Sequence, residues 1–189
     1  MRKLIIEEWV SLDGFAADKN DQLDFFPSTE ANKYSDEDQL QFLETVDTIL
    51  LGRKTYDLFV EFWPQATTDI EIIADKLNSL DKIVVSKTLK KAPWGKWKDA
   101  EIISGNAIEE IKKLKAKTGK NIVVWGSISL AQLLIEKDLI DEYHIQICPT
   151  ILGDGKKLFP NLDKFKDLKL IDIRKYDTGV IFLKYQNKQ

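Results

Sequence analysis

The sequence predicts an α/β fold: a central, mostly parallel sheet with helices on both faces, closed by an antiparallel pair of strands at the C-terminal end. Three observations predict it. Short, continuous apolar runs rich in Val, Ile and Leu recur through the first three quarters of the chain, the pattern of strands buried on both faces. Segments with apolar residues at helical spacing separate them. The last two runs, Leu168 to Tyr176 and Val180 to Tyr185, instead flank Asp177-Thr178-Gly179 directly, which reads as a hairpin.

In chain order, Lys3 to Val10 is a strand rich in Ile, Val and Trp, ended by the turn signal Asp13-Gly14. Residues 15 to 35 show no sustained period. With Phe25-Phe26-Pro27 and Ser28-Thr29 they read as a long loop, a feature that is usually functional or mobile in a compact domain. A helix is expected from Asp36 to Val46, with Leu40, Leu43 and Val46 at helical spacing and Ser35 with Asp38 as a capping-box pattern. Asp47 to Leu51 is a buried strand, and Gly52 stands where it hands over to a helix. Thr68 with Glu71 signals a further capped helix, with Ile70, Ile73, Ala74 and Leu77 on one face.

Lys82 to Ser86 and Ala100 to Ile103 are short strands on either side of a polar stretch containing Pro93, Trp94 and Trp97. From Ala107 a helix turns Ile108, Ile111 and Leu114 inward and pairs Glu109 with Lys113, while Lys112, Lys113, Lys115 and Lys117 read as its solvated face. Asn121 to Trp125 is a buried strand, Gly126-Ser127 lead into a helix with Leu130, Leu133 and Leu134 apolar, and Glu142 to Cys148 is a strand closed by Pro149. No linker, repeat or low-complexity segment divides the chain, so residues 1–189 are expected to form one domain.

Charge and composition narrow the function. The chain carries 28 basic and 31 acidic residues, a net charge of −3, which offers no global attraction to nucleic acid or anionic lipid. No apolar run approaches the length of a membrane span, and Glu7 and Glu8 break the N-terminal run before a signal-peptide core forms. A cytoplasmic location is expected. The one cysteine, Cys148, reads as a buried inert thiol, and the one histidine, His144, as a strand residue rather than a catalytic base. Together they exclude a Cys/His metal site, so the chemistry of an enzyme of this composition belongs to a cofactor or to carboxylates.

Ligands of open α/β sheets collect at the carboxyl ends of the strands, where helix N-termini present unpaired N–H groups. Three junctions qualify: Leu51-Gly52-Arg53-Lys54-Thr55, Val85-Ser86-Lys87-Thr88 and Trp125-Gly126-Ser127-Ile128-Ser129. Each combines a small residue with hydroxyl or cationic groups, which is what a multi-phosphate ligand requires. The G-x-x-x-x-G-K-[ST] loop and a G-x-G-x-x-G after the first strand are both absent, which argues against a kinase or an ordinary Rossmann dehydrogenase. Trp9, Phe25, Phe26 and Trp63 are candidates either for an aromatic wall against a planar heterocycle or for core packing.

Leu50-Leu51-Gly52-Arg53-Lys54-Thr55-Tyr56 resembles the strand-to-helix cofactor motif of dihydrofolate reductases. Val10-Ser11-Leu12-Asp13-Gly14, Ile83 to Leu89, Val123-Val124-Trp125-Gly126-Ser127, Asp141 to Pro149 and Leu152-Gly153-Asp154-Gly155 follow an order closer to a relative. That order resembles the dihydrofolate-reductase-like family named for the C-terminal reductase domain (RibD C-terminal domain) of the bacterial riboflavin-biosynthesis deaminase/reductase. The resemblance spans residues 3 to 185. It implies a dihydrofolate reductase-like three-layer fold and an NADPH-dependent reductase acting on a small heterocyclic substrate. The nearest specific reaction is reduction of 5-amino-6-(5-phosphoribosylamino)uracil, with a non-catalytic nucleotide-binding module as the alternative.

By position, the resemblance sets Gly52, Arg53, Lys54 and Thr55 at the cofactor phosphates and Ser86 and Lys87 at the adenosine 2′-phosphate, with Gly126, Ser127, Ile128 and Ser129 at the pyrophosphate. Arg53 reads alternatively as a salt-bridged surface residue. Asp13, beside Gly14, borders the cleft in the resemblance and is equally a turn residue. Asp36, followed by Glu37, falls roughly where dihydrofolate reductase carries its pteridine-binding acid, and is equally a helix-start charge. Asp13 and Asp36 are the candidate proton sources. The family's usual glycine pair appears here as Gly126-Ser127. The resemblance also implies a homodimer.

Overall fold

The computed structural model describes residues 1–27 and 33–188, with the side chains of Lys33 and Tyr34 left out, so Ser28 and Thr29 of the expected loop lie outside the described residues. Its centre is an eight-stranded sheet in the order β5-β4-β3-β6-β1-β7-β10-β9. The strands are β1 (Leu4–Ser11), β3 (Val46–Gly52), β4 (Asp81–Val85), β5 (Glu101–Ile103), β6 (Asn121–Trp125), β7 (Glu142–Cys148), β9 (Leu168–Lys175) and β10 (Ile181–Asn187). From β5 to β7 every pairing is parallel, and β7–β10 and β10–β9 are antiparallel. The expected sheet and terminal hairpin are therefore both present.

Helices cover both faces. On one side α4 (Ala107–Ala116) and α5 (Ile128–Glu136) pack Ile111, Leu130 and Leu134 against Leu4, Ile6, Leu50 and Val124. On the other, α1 (Lys33–Leu43), α2 (Arg53–Phe62) and α3 (Ala74–Ser79) pack Leu43, Tyr56 and Leu77 against Ile49, Leu51, Val123 and the fully buried Trp94. Two apolar layers sandwich one sheet, which is why β1, β3 and β6 read as unbroken apolar runs. Cys148 is fully buried in β7, and burial pushes its thiol up to about 11. Among the described residues no helix is long and apolar enough to cross a membrane.

The structure departs from the expected elements in four places. Helix α1 begins at Lys33, so Ser35 lies inside it; the buried hydroxyl donates to Gln146 Oε1 at 2.8 Å instead of capping the helix. The Thr68–Glu71 capped helix shrinks to α3. Ile70 is exposed while Ile73, Ala74 and Leu77 are buried, so the upstream turn has no apolar face to pack and gains nothing from extending the helix. Lys115 is not on a solvated face: it is buried, with Nζ 2.6 Å from both Leu139 O and Asp141 Oδ2, and the outward pairs of α4 are Glu109–Lys112 and Glu110–Lys113. Finally, the loop after β1 holds a short strand, β2 (Phe15–Ala17), paired antiparallel with β8 (Lys156–Lys157).

Candidate functional site

The carboxyl ends of β3 and β6 lie side by side, and the helices that leave them, α2 and α5, start at the same point of the sheet edge. Neither helix start carries a side-chain cap, so orphan N–H groups of both face this edge. Ser127 ties the two starts together. Its Oγ accepts the Gly52 N–H and donates to Thr55 Oγ1 at 2.9 Å. Gly126 and Ser127 take successive left-handed conformations, φ 58° and 64°, so a serine occupies a backbone state that favours glycine. A Cβ at Gly126 would lie 2.7 Å from the Thr55 side chain, and one at Gly52 would lie 2.8 Å from Ser127 Oγ. Gly52, Thr55, Gly126 and Ser127, named separately from the sequence, thus form one cluster.

The cations sit around it. Arg53 is half exposed, its Nε donating to both carboxylate oxygens of Asp57 at 2.8 and 2.7 Å, so the surface ion-pair reading of this residue is observed. The rest of its guanidinium stays accessible. Lys54 is largely exposed, 3.7 Å from Asp21, and Lys87 is exposed beyond the end of β4. Ser86 is buried, its Oγ accepting the N–H groups of Thr88 and Leu89 at 3.3 and 3.1 Å, which shapes a turn that presents Lys87. Ile128 and Ser129 open α5, with Ser129 exposed. Two uncapped helix starts and three accessible cations fit a polyphosphate.

Asp13 stands in the turn after β1. Its carboxylate accepts from Ser11 Oγ at 2.6 Å and from the N–H groups of Leu152 and Gly153 at 3.1 and 2.8 Å. The Ser11 hydrogen bond and these backbone donors hold it down to about 2, so at neutral pH it is an ionised acceptor clamping the β1 turn to the 150–155 loop. Asp36, on α1, is half buried, and desolvation with the nearby Glu71 charge lifts it to about 6, the range of a working acid–base group. Trp9, Phe25 and Phe26 do assemble, the Phe26 ring lying 5.5 Å from Trp9 and 4.8 Å from Phe25 between centroids, whereas Trp63 packs separately on Phe59 and Phe62.

A second feature was not foreseen. Between α1 and the β1-β7-β10-β9 face of the sheet runs a cavity of about 420 Å³ with a polar floor. Glu142 sits in it between Lys3 Nζ at 2.6 Å, Lys184 Nζ at 3.1 Å and His144 Nε2 at 3.3 Å; the His144 contact first, then the two lysines, pull its carboxyl well below the usual range. His144 is held between the rings of Phe42 and Phe182. Glu7 faces the same cavity, accepting from Trp125 Nε1 at 2.6 Å; burial raises its carboxyl, opposed by His144 and by hydrogen bonds from Trp125 and Gln39. Trp125, which donates to Glu7, immediately precedes Gly126 of the helix-start cluster.

The sequence did hold a signal for this. In a strand buried on both faces, consecutive residues point to opposite sides, so Glu7-Glu8 within Leu4 to Val10 requires one buried carboxyl on each face.

The model of the RibD C-terminal domain matches residues 2–182. The chain belongs to the RibD C-terminal domain family. It is similar to the uncharacterized protein YyaP of Bacillus subtilis (34% identical, covering 97% of this chain and 94% of that one). Among solved structures it superposes on a putative riboflavin biosynthesis protein of Shewanella sp. PV-4 with a TM-score of 0.75 at 25% identity, covering 99% of both chains. It also superposes on the Thermotoga maritima diaminohydroxyphosphoribosylaminopyrimidine deaminase/5-amino-6-(5-phosphoribosylamino)uracil reductase with a TM-score of 0.67 at 13% identity, covering 99% of this chain and 57% of that one. The fold is that of the RibD reductase domain, the dihydrofolate reductase-like arrangement, and membership supports a reductase-type function.

Proposed function

We propose that this RibD C-terminal domain protein is an NADPH-dependent reductase of a small polar heterocycle, with 5-amino-6-(5-phosphoribosylamino)uracil reduction as the nearest specific reaction. One observation carries the reading: the starts of α2 and α5, both free of side-chain caps, meet at one point of the sheet edge, where Gly52 and Gly126 let the Ser127 and Thr55 side chains pack on the backbone and stitch the two starts together. The N–H groups of both starts and the Arg53 guanidinium hold the pyrophosphate, while Lys87, on the Ser86 turn, answers the extra dianion that distinguishes NADPH from NADH. The bound dinucleotide supplies the hydride.

The protein orients and protonates. The polar cavity under α1 offers Glu7, Gln39 and His144 to the edges of a heterocycle, and its aromatic sides at Phe42 and Phe182 exclude water from one flank. Asp36, on α1 outside the cavity lining, is lifted to about 6 and exchanges protons readily near neutrality; it and water are the candidate proton sources for the reduced atom. We also propose a cytoplasmic location and a homodimer, the latter supported by the apolar residues that β9 leaves uncovered.

Paired titrations of NADPH and NADH, read by quenching of the five tryptophans and by calorimetry, test the assignment. Micromolar NADPH binding, about 8 kcal/mol, with NADH at least tenfold weaker, is expected, and Lys87→Ala should close most of that gap. Equal affinity for both nucleotides would remove the 2′-phosphate role; no binding of either would sink the cofactor assignment.

A further inference from the structure

Glu8 is the carboxyl that the proposed chemistry leaves unused. It points to the opposite face of β1 from Glu7, toward the side covered by α5, and only 8% of it is exposed. Its carboxyl group receives the backbone N–H of Gly126, the residue that opens the turn into α5. Its Oε1 is a buried polar atom without a hydrogen-bond partner in the protein. Buried carboxyl oxygens in native folds are paired, and one left unpaired beside an uncapped helix start calls for a ligand or a proton to account for it.

The surroundings decide the protonation state. The β7 residue in register with Glu8 is Ile145, the first turn of α5 carries no acidic residue, and the charged group that acts on it is Glu7, which repels a second negative charge. Burial first and Glu7 second push Glu8 up to about 8, against the pull of the Gly126 N–H. The oxygen that accepts from Gly126 cannot also carry the proton toward that N–H, so the proton belongs on Oε1.

We propose that Glu8 is a further ligand-binding residue, a neutral carboxylic acid whose Oε1–H is offered to an acceptor oxygen of the carboxamide class on the molecule seated at the start of α5. This rests on the reading of that site as a dinucleotide site, where the nicotinamide carboxamide is the acceptor of that class. A neutral acid also spares the neighbouring phosphates a like charge.

The test is dinucleotide affinity by calorimetry at pH 7 and pH 9 for the wild type, Glu8→Gln and Glu8→Ala, beside a probe that lacks the ring, 2′-phosphoadenosine diphosphate. Wild-type affinity for NADPH should fall about tenfold between the two pH values as the acid ionises. Glu8→Gln keeps an N–H at the donor position and should bind within about threefold of wild type with no pH dependence, while Glu8→Ala should bind roughly tenfold more weakly at both. The ring-free probe should ignore both substitutions. Carbon NMR of the Glu8 carboxyl, assigned with Glu7→Gln, should show it protonated at pH 7 and protonated to higher pH when NADPH is bound. NADPH binding that is flat in pH and indifferent to Glu8→Ala, or a carboxyl ionised at pH 7, overturns the role of Glu8 alone. Absence of NADPH binding in every variant overturns the dinucleotide reading and this role with it.

Discussion

The parallel part of the sheet and its C-terminal hairpin are built from similarly apolar runs and end up in opposite environments. In β1, β3 and β6 nearly every side chain is buried, because helices lie on both faces. In β9, at the sheet edge, Leu170, Ile171 and Ile173 are exposed, the last by 60%, and Ile181 of β10 is exposed as well. Apolar content sets how strongly a strand seeks cover, and the layers around it decide whether the chain supplies that cover itself. The hairpin is thus a surface still to be covered, whereas the parallel strands form a finished core.

The comparison can be broken from either side. Leu50→Ala, at a fully buried site of β3, should cost about 2–5 kcal/mol in urea unfolding; a loss under 1 kcal/mol would mean that the two cores yield far more than their burial implies. Gly126→Ala sharpens it at the sheet edge, where the positive φ and the 2.7 Å approach to Thr55 should together cost about 1–3 kcal/mol and weaken NADPH binding, the two effects measured on the same protein. The smallest change in stability is expected from Ile171→Ser with Ile173→Ser, within about 0.5 kcal/mol per site. Sedimentation of that variant should move toward the monomer, and an unchanged profile would take the hairpin out of the proposed homodimer.

What was legible in the sequence follows the same division. Strands β1, β3, β4, β6 and β7 announce themselves because burial on both faces leaves unbroken Val/Ile/Leu runs, and their observed ends fall within a residue or two of the expected ones. The helix-start cluster was legible too, since Gly52, Gly126 and Ser127 interrupt those runs where the chain must turn. The cavity under α1 was not. It joins Glu7, Gln39, Glu142, His144 and Lys184 through the adjacency of β1, β7 and β10, and strand order is a tertiary fact that no local spacing encodes. The anchoring of Asp13 was hidden for the same reason, because two of the donors that clamp it come from residues 152 and 153. Beneath α3, the expected cap failed where the apolar stripe proved shorter than its signal.

The buried state of Cys148 gives the protein a use as its own reporter. A chain with one cysteine, fully enclosed and with its thiol held near 11, is in effect blank toward maleimides and other thiol-directed labels at neutral pH. A cysteine placed at the exposed Ser129, on the first turn of α5, becomes the sole reactive handle, so a fluorophore can be set at the rim of the phosphate cradle without first engineering the native thiol away.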